Sequence, residues 1–278
     1  MAARRSAVRS KARSIAPSPA SEARPRDMAP PSLFLLAMEG RAWMEWASWL
    51  VARPWFSQAG RGDGHPVLVL PGLLASDRST WPLRKFLEHL GYTAYPWELG
   101  FNHGPKPGML EHLQQRIAEI RQLHGKKPSL IGWSLGGLMA RALAWQMPEH
   151  VRSVLTLGSP LAAEANATNA RKVFELVSGL DPDHADVRKL IGGHPDVPLT
   201  SILSRYDGVV HWRSSLVKNH PRAENVEVPA SHLGMGVNPL VLWVIADRLA
   251  QHPDRWSPFS HHGWRKLVYR NPGHAEHA

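Results

Sequence analysis

The sequence predicts an α/β fold, with a mostly parallel central sheet and helices on both of its faces. Short apolar runs alternate with helical segments from His65 onward, and several of these runs are apolar at consecutive positions. Uninterrupted apolar runs are typical of parallel strands that are covered on both sides. The repeated order strand, helix, strand favours an open parallel sheet. A serine between two glycines, Ser134, follows one of the predicted strands.

Five segments are predicted to be strands because they are short and rich in apolar residues: 67–70, 129–133, 153–157, 199–203 and 225–228. Helical periodicity is found between them, in residues 81–90, 109–123, 135–146 and 238–250. The chain has 278 residues, of which 43% are hydrophobic, which is enough for one large domain. We assign residues 59–252 to this domain.

One connection is much longer than the others. Residues 162–197 have a mostly helical pattern and separate two predicted strands, where a connection of a few residues is usual. Two interpretations are open: a cap or lid over the site, or an ordinary helix with extended loops that covers the sheet.

The two ends of the chain differ from the domain in composition. Residues 1–27 carry seven basic and two acidic side chains, so they supply +5 of the net charge of +10. They have few large apolar groups, which predicts a disordered basic tail over residues 1–31. Residues 253–278 are predicted to form a C-terminal tail. A cytoplasmic location is expected, because an export signal needs an apolar run soon after the arginines and none appears before Leu33. Export by the basic segment and translation from Met28 stay open as alternatives.

Residues 32–58 are predicted to form an N-terminal amphipathic helix that ends near Pro54. Its apolar side includes Phe34, Leu36, Trp43, Trp46 and Leu50. This stripe either packs against the domain or meets a membrane or lipid surface, an idea that its closely spaced tryptophans raise. Charged residues interrupt the segment, so it is too polar to be read as a helix that crosses a bilayer.

Composition also excludes some kinds of function. The chain has no cysteine, so disulfides, thiolate metal sites and cysteine nucleophiles are ruled out. Half of the basic excess lies in the first tenth of the chain, and no element that reads nucleic acid is recognisable, so a nucleic-acid partner is not expected. No cofactor and no metal site are predicted. The oligomeric state is left open.

The segment LIGWSLGG carries the chemistry that the sequence predicts. Gly132, Ser134 and Gly136 form the pattern GxSxG at the end of a predicted strand and the start of a predicted helix. A serine on such a tight turn presents its hydroxyl at the edge of the sheet, and side chains two residues before and after it would collide. We therefore predict that Ser134 is a nucleophile.

A serine nucleophile needs a base, and the base needs an acid that orients it. In folds of this type the chain order is serine, acid, histidine. Asp207 follows one predicted strand and His232 follows the last one, so both are expected at the carboxyl edge of the sheet. Competing residues fit less well, because they lie in the insertion or its exit, too near Asp207, before the last strand or in the tail: Asp181, Asp183, Asp196, His211, His220, His261 and His262.

Two backbone N–H groups are predicted to receive the negative oxygen of a tetrahedral intermediate. One belongs to Leu135, at the start of the helix that follows the serine, where N–H groups are free. The other belongs to Leu73, because Gly72 allows the loop after the first strand to approach closely. Leu74 and Trp133 are expected to line an apolar substrate pocket beside the serine.

With these elements placed, residues 65–250 resemble the α/β-hydrolase superfamily, particularly its bacterial lipases and esterases. The resemblance lies in the segments HPVLVLPGLL, LIGWSLGG, LTLGSPL, SRYDGVV and SHLGM. It implies that Ser134 attacks an acyl carbonyl, that His232 transfers the proton and that Asp207 holds the imidazole. Pro71 departs from the family, since many relatives have histidine at that position.

The expected function is therefore a serine hydrolase that cleaves carboxylic esters, small or lipidic, with a hydrophobic acyl or alcohol portion, through an acyl-enzyme. An acyltransferase or thioesterase would use the same triad with a different acceptor or substrate. A non-catalytic binding module on a hydrolase frame is a third possibility, which the presence of all three catalytic side chains argues against.

Overall fold

The structure, a computed structural model, describes residues 29–161, 168–169, 174–175, 190, 193–218, 220–252 and 254–273. Two predictions fall mostly outside these residues. Of the basic tail 1–31 only the last three residues are described, and of the insertion 162–197 only ten scattered residues are. Within the described ranges, no helix has the length and apolar character needed to span a bilayer.

Six parallel strands form the central sheet, which confirms the predicted fold class. Their order across the sheet is β2-β1-β3-β4-β5-β6. The strands are β1 (Pro66–Leu70), β2 (Thr93–Pro96), β3 (Ser129–Trp133), β4 (Val154–Leu157), β5 (Leu199–Leu203) and β6 (Ala223–Glu227). Five of them match predicted strands to within two residues at both ends, whereas β2 is absent from the sequence prediction.

The helices that the structure describes are α1 (Leu33–Ala37), α2 (Ala42–Ala52), α3 (Asp77–His89), α4 (Met109–His124), α5 (Leu135–Gln146), α6 (Pro239–Leu249) and α7 (Arg265–Val268). In the same part of the chain, 3₁₀ turns cover Met38–Arg41, Arg53–Gln58 and Trp212–Ser215. The segment predicted as one N-terminal helix is thus two helices, each followed by a 3₁₀ turn.

The core lies on both faces of the sheet, because successive residues of a strand point to opposite sides. In β1, Val67 and Val69 pack into one apolar cluster with residues of α3 and α6, whereas Leu68 and Leu70 pack into another with α4 and α5. All four side chains are almost fully buried. This double burial explains why the strands are apolar at consecutive positions.

The N-terminal segment packs against the body in an unexpected orientation. Trp49 and Phe56 join the apolar cluster around α3 and α6. The predicted apolar stripe faces solvent instead, so the interpretation that it packs on the domain is wrong: the exposed fractions are 72% for Phe34, 69% for Trp43 and 57% for Leu50. The stripe faces outward because the side chains that face the domain include polar ones, such as buried Glu39.

Residues 254–273, which the sequence leaves as part of a tail, pack on the sheet edge. Phe259 and Tyr269 are buried in the cluster around α6. The Phe259 N–H donates to Glu224 on β6 at 2.6 Å, and Glu227 of β6 pairs with Arg270 in an antiparallel bridge.

A hydrogen-bonded line of side chains, from exposed Asp63 to buried His65 and Ser129, lies at the amino edge of the sheet, where β1 and β3 begin. Asp63 Oδ1 lies 2.5 Å from His65 Nδ1, and His65 Nε2 lies 2.9 Å from Ser129 Oγ. The His65 side chain is fully buried. Burial, together with the positive charges of Arg152 and Lys126, lowers the pKa of His65 to about 4, although Asp63 opposes the shift. His65 is therefore neutral in the fold near pH 7.

This burial predicts a loss of stability in weak acid that depends on one residue. In the unfolded chain His65 takes up a proton near pH 6.5, whereas in the fold it does so near pH 4, so acid favours unfolding over that window. Between about pH 8 and about pH 5 the group should remove about 2 kcal/mol of the free energy of unfolding. Urea unfolding of the wild type and of His65→Gln measures this contribution.

The variant should be less stable at the higher pH and should lack this part of the pH dependence. His89→Gln, at an exposed position on α3, serves as the control and should follow the wild type. Equal pH dependence in His65→Gln and wild type would contradict the assignment.

Candidate active site

Ser134 lies in the turn between β3 and α5, at the carboxyl edge of the sheet. Its backbone has φ 53° and ψ −120°, a conformation that residues other than glycine rarely adopt. The Ser134 N–H donates to the Leu157 carbonyl of β4 at 2.8 Å, which fixes the turn against the neighbouring strand. The residue is partly exposed.

The two glycines of the GxSxG segment are required by crowding. A Cβ at Gly132 would overlap the backbone of Gly136 and Gly137. One at Gly136 would lie 2.7 Å from the Pro71 carbonyl oxygen and would overlap that of Leu70. Real Cβ atoms are not found this close to backbone oxygens, so the strand, the turn and the helix fit together only without these side chains.

Asp207 and His232 form a buried pair in the loops after β5 and β6. Asp207 Oδ2 lies 2.7 Å from His232 Nδ1, and the two residues are only 3% and 5% exposed. The other oxygen of Asp207 accepts hydrogen bonds from the N–H groups of Val209 and Val210 at 2.8 and 2.7 Å. These bonds fix the carboxylate, and the carboxylate in turn fixes the imidazole ring.

The electrostatics of this pair determine the protonation of His232. Burial alone would lower the pKa of the imidazole, because it disfavours the charged form. The negative charge of Asp207, the hydrogen bond to it and the charge of Glu39 more than offset burial, so the pKa of His232 is raised. The ring is thus a stronger base than an ordinary histidine.

Gly158, which follows β4, lies between the serine turn and this pair. Its φ is +53°, and a Cβ there would lie 2.9 Å from Asp207 Oδ2 and 3.1 Å from His232 Nδ1. The preceding residue, Leu157, holds Ser134. The structure thus brings Ser134, Asp207 and His232 to one edge of the sheet. Among the described residues no hydrogen bond joins the Ser134 hydroxyl to His232, a contact that in ligand-free sites often forms only when substrate binds.

The loop after β1 approaches the serine from the other side. A Cβ at Gly72 would lie 3.3 Å from the Cβ of Ser134, so Leu73 follows directly after the point of contact. The Leu74 N–H donates to the Asn102 carbonyl at 2.7 Å, so it is already used in a hydrogen bond within the protein. The Leu135 N–H lies at the first position of α5, where no earlier turn of the helix supplies an acceptor.

Asn102 braces this loop and was not identified from the sequence. Its side chain is fully buried, and its Nδ2 donates to the Pro71 carbonyl at 2.8 Å. Its Oδ1 accepts from the Gly104 N–H at 3.1 Å, and its own N–H donates to the Ala75 carbonyl at 2.9 Å. Nothing in the sequence distinguishes it from a turn-forming asparagine.

Trp133, predicted to line the substrate pocket, also supports the histidine loop. Its indole N–H donates to the carbonyl oxygen of His232 at 3.0 Å. Its ring lies against Gly236, where a Cβ would come within 2.9 Å of the ring. The residue before the serine is therefore linked directly to the loop that carries the histidine.

A buried carboxylate from the N-terminal segment joins the two loops that carry Asp207 and His232. Glu39 is only 4% exposed, and one of its oxygens accepts from the N–H groups of Gly208 and His232 at 2.7 and 2.9 Å. The other accepts from the Leu233 N–H at 2.9 Å. Hydrogen bonds to a charged group contribute about 1.5 to 3 kcal/mol each, which offsets the burial of the charge.

Two more charged residues of this segment reinforce the link. Glu45 accepts hydrogen bonds from both the N–H and the hydroxyl of Ser231 at 2.8 Å, and burial raises its pKa although these bonds oppose the shift. Arg41 donates to the carbonyls of Tyr206 and Ala230 at 2.7 and 3.2 Å. The sequence offered one signal for these contacts: charges inside an otherwise apolar helix.

The hydrogen-bonded residues Asp63, His65 and Ser129, at the amino edge of the sheet, resemble a catalytic triad. Their position in the fold does not suit a nucleophile. Ser129 is fully buried inside the sheet, so no substrate reaches its hydroxyl. It belongs to β3 itself rather than to a tight turn before a helix. We therefore infer that these three residues contribute to the stability of the fold.

Among the residues that the structure describes, no group of three or more histidine, aspartate or glutamate side chains is placed to hold an ion.

Comparisons with known proteins show which of them parts of this chain resemble. The protein family described as alpha/beta hydrolase fold matches residues 65–182. The serine hydrolase BPHL of Homo sapiens is 30% identical over 113 residues, which are 37% of this chain and 38% of that protein. The lysosomal thioesterase PPT2-B of Xenopus laevis is 35% identical over 122 residues, 41% of this chain and 42% of its own. The chain spans about two fifths of the length of these relatives.

Among solved structures, Aspergillus fumigatus lipase B superposes with a TM-score of 0.55 at 16% identity, over 71% of this chain and 56% of the lipase. An alpha/beta superfamily hydrolase from Oenococcus oeni PSU-1 gives a TM-score of 0.50 at 18% identity, over 67% of this chain and 91% of the other. At these identities the likeness concerns the fold.

The contacts of Glu39 lead to a prediction about the histidine. Replacing Glu39 by glutamine removes a negative charge that stabilises the protonated ring, so we expect the pKa of His232 to fall. An NMR titration of the imidazole protons measures it, with the His232 signal identified by its loss in His232→Gln.

Glu45→Gln is the matched control, because Glu45 binds Ser231 rather than the N–H of His232. We expect a smaller change in that variant. A His232 titration that is the same in wild type and Glu39→Gln would contradict the electrostatic role of Glu39.

Proposed function

Because this chain is an α/β-hydrolase-fold protein, we propose that it is a serine hydrolase that cleaves carboxylic esters with a hydrophobic acyl or alcohol portion. The proposal is carried by one observation: a buried Asp207–His232 pair, 2.7 Å apart, on the same sheet edge as a serine held in a strained turn. A purely structural serine gains nothing from a positive φ, whereas a nucleophile gains exposure at the sheet edge.

The proposed reaction proceeds through an acyl-enzyme. Ser134 Oγ attacks the carbonyl carbon of the ester while His232 Nε2 takes the hydroxyl proton, and the C=O electrons move to oxygen. The N–H groups of Leu73 and Leu135 stabilise this oxyanion. The tetrahedral intermediate collapses, and the alcohol leaves with the proton from His232. Water, deprotonated by the same ring, then releases the acid and restores the serine.

Asp207 has the role of orienting the ring and stabilising its charged form. Its hydrogen bond to Nδ1 leaves Nε2 directed toward the substrate, and its charge keeps the pKa of His232 high. A base with a raised pKa is protonated in weak acid and is active only once that proton is lost. Activity should therefore rise with pH above about 6.5, the usual pKa of histidine.

The preference for hydrophobic substrates rests on the side chains near the serine. Leu135 is almost buried, Leu74 is 45% exposed, and Leu73 packs partly against the core. Apolar walls favour an alkyl chain over a charged group, since a charge would lose its hydration there without a partner.

A panel of nitrophenyl esters of increasing chain length tests the proposal. We expect medium-chain esters to be turned over faster than acetate, because each added methylene that is buried contributes about 0.8 kcal/mol. Ser134→Ala should lose at least roughly 10⁴-fold in kcat, and Asp207→Asn about 10⁴-fold. Turnover of no ester, or full activity in Ser134→Ala, would overturn it.

Labelling with a fluorophosphonate separates an enzyme from a binding module. An activated serine reacts with the reagent, so wild type should be labelled and Ser134→Ala should not. Ser129→Ala is the matched control, since its hydroxyl also contacts a histidine but is buried. It should be labelled like wild type, and absence of labelling in wild type would favour a non-catalytic module.

A thioesterase is the second candidate, because one relative with 35% identity is named a lysosomal thioesterase. The same Ser134, His232 and Asp207 would form the acyl-enzyme and release a thiol in place of an alcohol. Matched acyl esters and thioesters with the same chain distinguish the two, by comparing kcat/KM and detecting the released thiol. A higher kcat/KM on the thioester would favour this second activity.

A further inference from the structure

The N-terminal segment Leu33–Trp55 presents a large apolar surface to solvent, here called the outer face. In the described part of the chain, nineteen large hydrophobic side chains are exposed, and ten of them belong to this stretch. Exposed apolar patches of this kind mark sites of interaction. The outer face consists of Leu33, Phe34, Leu36, Met38, Trp43, Met44, Trp46, Leu50, Val51 and Trp55.

This orientation is the reverse of an ordinary surface helix. From Leu33 to Ala52 the chain has three charged residues, Glu39, Arg41 and Glu45, and each is hydrogen-bonded to the loops that carry Asp207 and His232. The charged side thus faces the protein and the apolar side faces outward. A helix that only covers a soluble domain has the opposite arrangement.

Charge identifies the partner that this surface fits. Residues 1–27, a few positions before the outer face in sequence, carry seven basic and two acidic side chains, and the whole chain has a net charge of +10. Two copies of such a chain repel each other, which disfavours self-association. An apolar helical face joined to a basic segment is instead attracted to an anionic lipid surface.

We propose that the outer face binds an anionic membrane, with α1 and α2 lying in the plane of the interface. Trp43, Trp46 and Trp55 suit this place, because an indole ring has both an apolar body and a polar N–H. Exposed Tyr206 and Leu233, next to Asp207 and His232, adjoin the same segment, so the bound lipid surface lies close to the candidate active site.

Sedimentation with lipid vesicles tests the proposal on the full chain. Vesicles of equal parts phosphatidylcholine and phosphatidylglycerol should bind the protein, and vesicles of phosphatidylcholine alone should bind it much less. Salt at about 1 M, where the screening length is about 3 Å, should weaken the binding. The assay needs no catalysis, so its result is independent of the proposed ester hydrolysis.

Substitutions on the outer face identify the contact. Trp43→Ser combined with Leu50→Ser should weaken vesicle binding about 100-fold or more, because burial of each large apolar side chain contributes at least about tenfold. Leu123→Ser is the matched control: that leucine is 74% exposed on α4, which packs on the opposite face of the sheet. The control should bind vesicles like wild type, and all these variants should keep their turnover of soluble esters.

A second variant tests the charge. Changing the seven basic residues before Asp27 to glutamine should reduce binding to the anionic vesicles about fivefold for each residue that reaches the surface. Equal binding by the outer-face variant and Leu123→Ser would overturn the proposal. So would binding that ignores lipid charge, or a dimer in light scattering that the outer-face substitutions dissociate, because the partner would then be a second copy.

Discussion

The geometry of the site depends on how closely the backbone packs around the β3–α5 turn. Ser134 keeps its left-handed φ because neighbouring chain segments leave no alternative: Leu157 holds its N–H, and Gly72 lies against its Cβ. The glycines at 132 and 136 let β3, α5 and the end of β1 approach closely. Strain at one residue is thus maintained by contacts that involve three strands, which is how a folded protein keeps a conformation that an isolated turn would abandon.

Because of the strand order, Ser134 and His232 follow strands that are not adjacent, and the N-terminal segment supports the loop that carries His232. β3 and β6 are separated by β4 and β5, a distance of about 14 Å at the usual spacing of strands. The loop after β6 must therefore extend back across the sheet edge for His232 to lie beside Gly158. Such a loop needs support, and Glu39 and Trp133 hold it by its backbone from two sides.

How far the sequence alone predicts this structure depends on the range of the contacts involved. Strands β3 and β5 and helix α5 have the predicted bounds, because double burial leaves a local apolar signal. Strand β2, with the sequence TAYP, was missed because it is a short and partly exposed edge strand. Helix α3 begins four residues earlier than predicted, at Asp77, whose carboxylate accepts hydrogen bonds from the distant N–H groups of Trp97 and Glu98.

The same reasoning separates the site residues. Gly132, Ser134 and Gly136 form a local motif, and Asp207 and His232 follow strands in a known order, so the sequence was sufficient to nominate them. Asn102 and Glu39 act on segments far away in the chain. Asn102 has no local signature for its contact, and the charge of Glu39 inside an otherwise apolar helix does not indicate which segment it binds. Their placement required the three-dimensional structure.

The N-terminal segment both supports the loop that carries His232 and exposes an apolar surface. A carboxylate buried without partners costs several kcal/mol, so Glu39 is retained inside only because three backbone N–H groups bind it. Those bonds fix which side of the segment faces the protein, and the apolar residues are left outside as a consequence. The segment that supports the His232 loop through Glu39 is therefore also the one that presents the outer face.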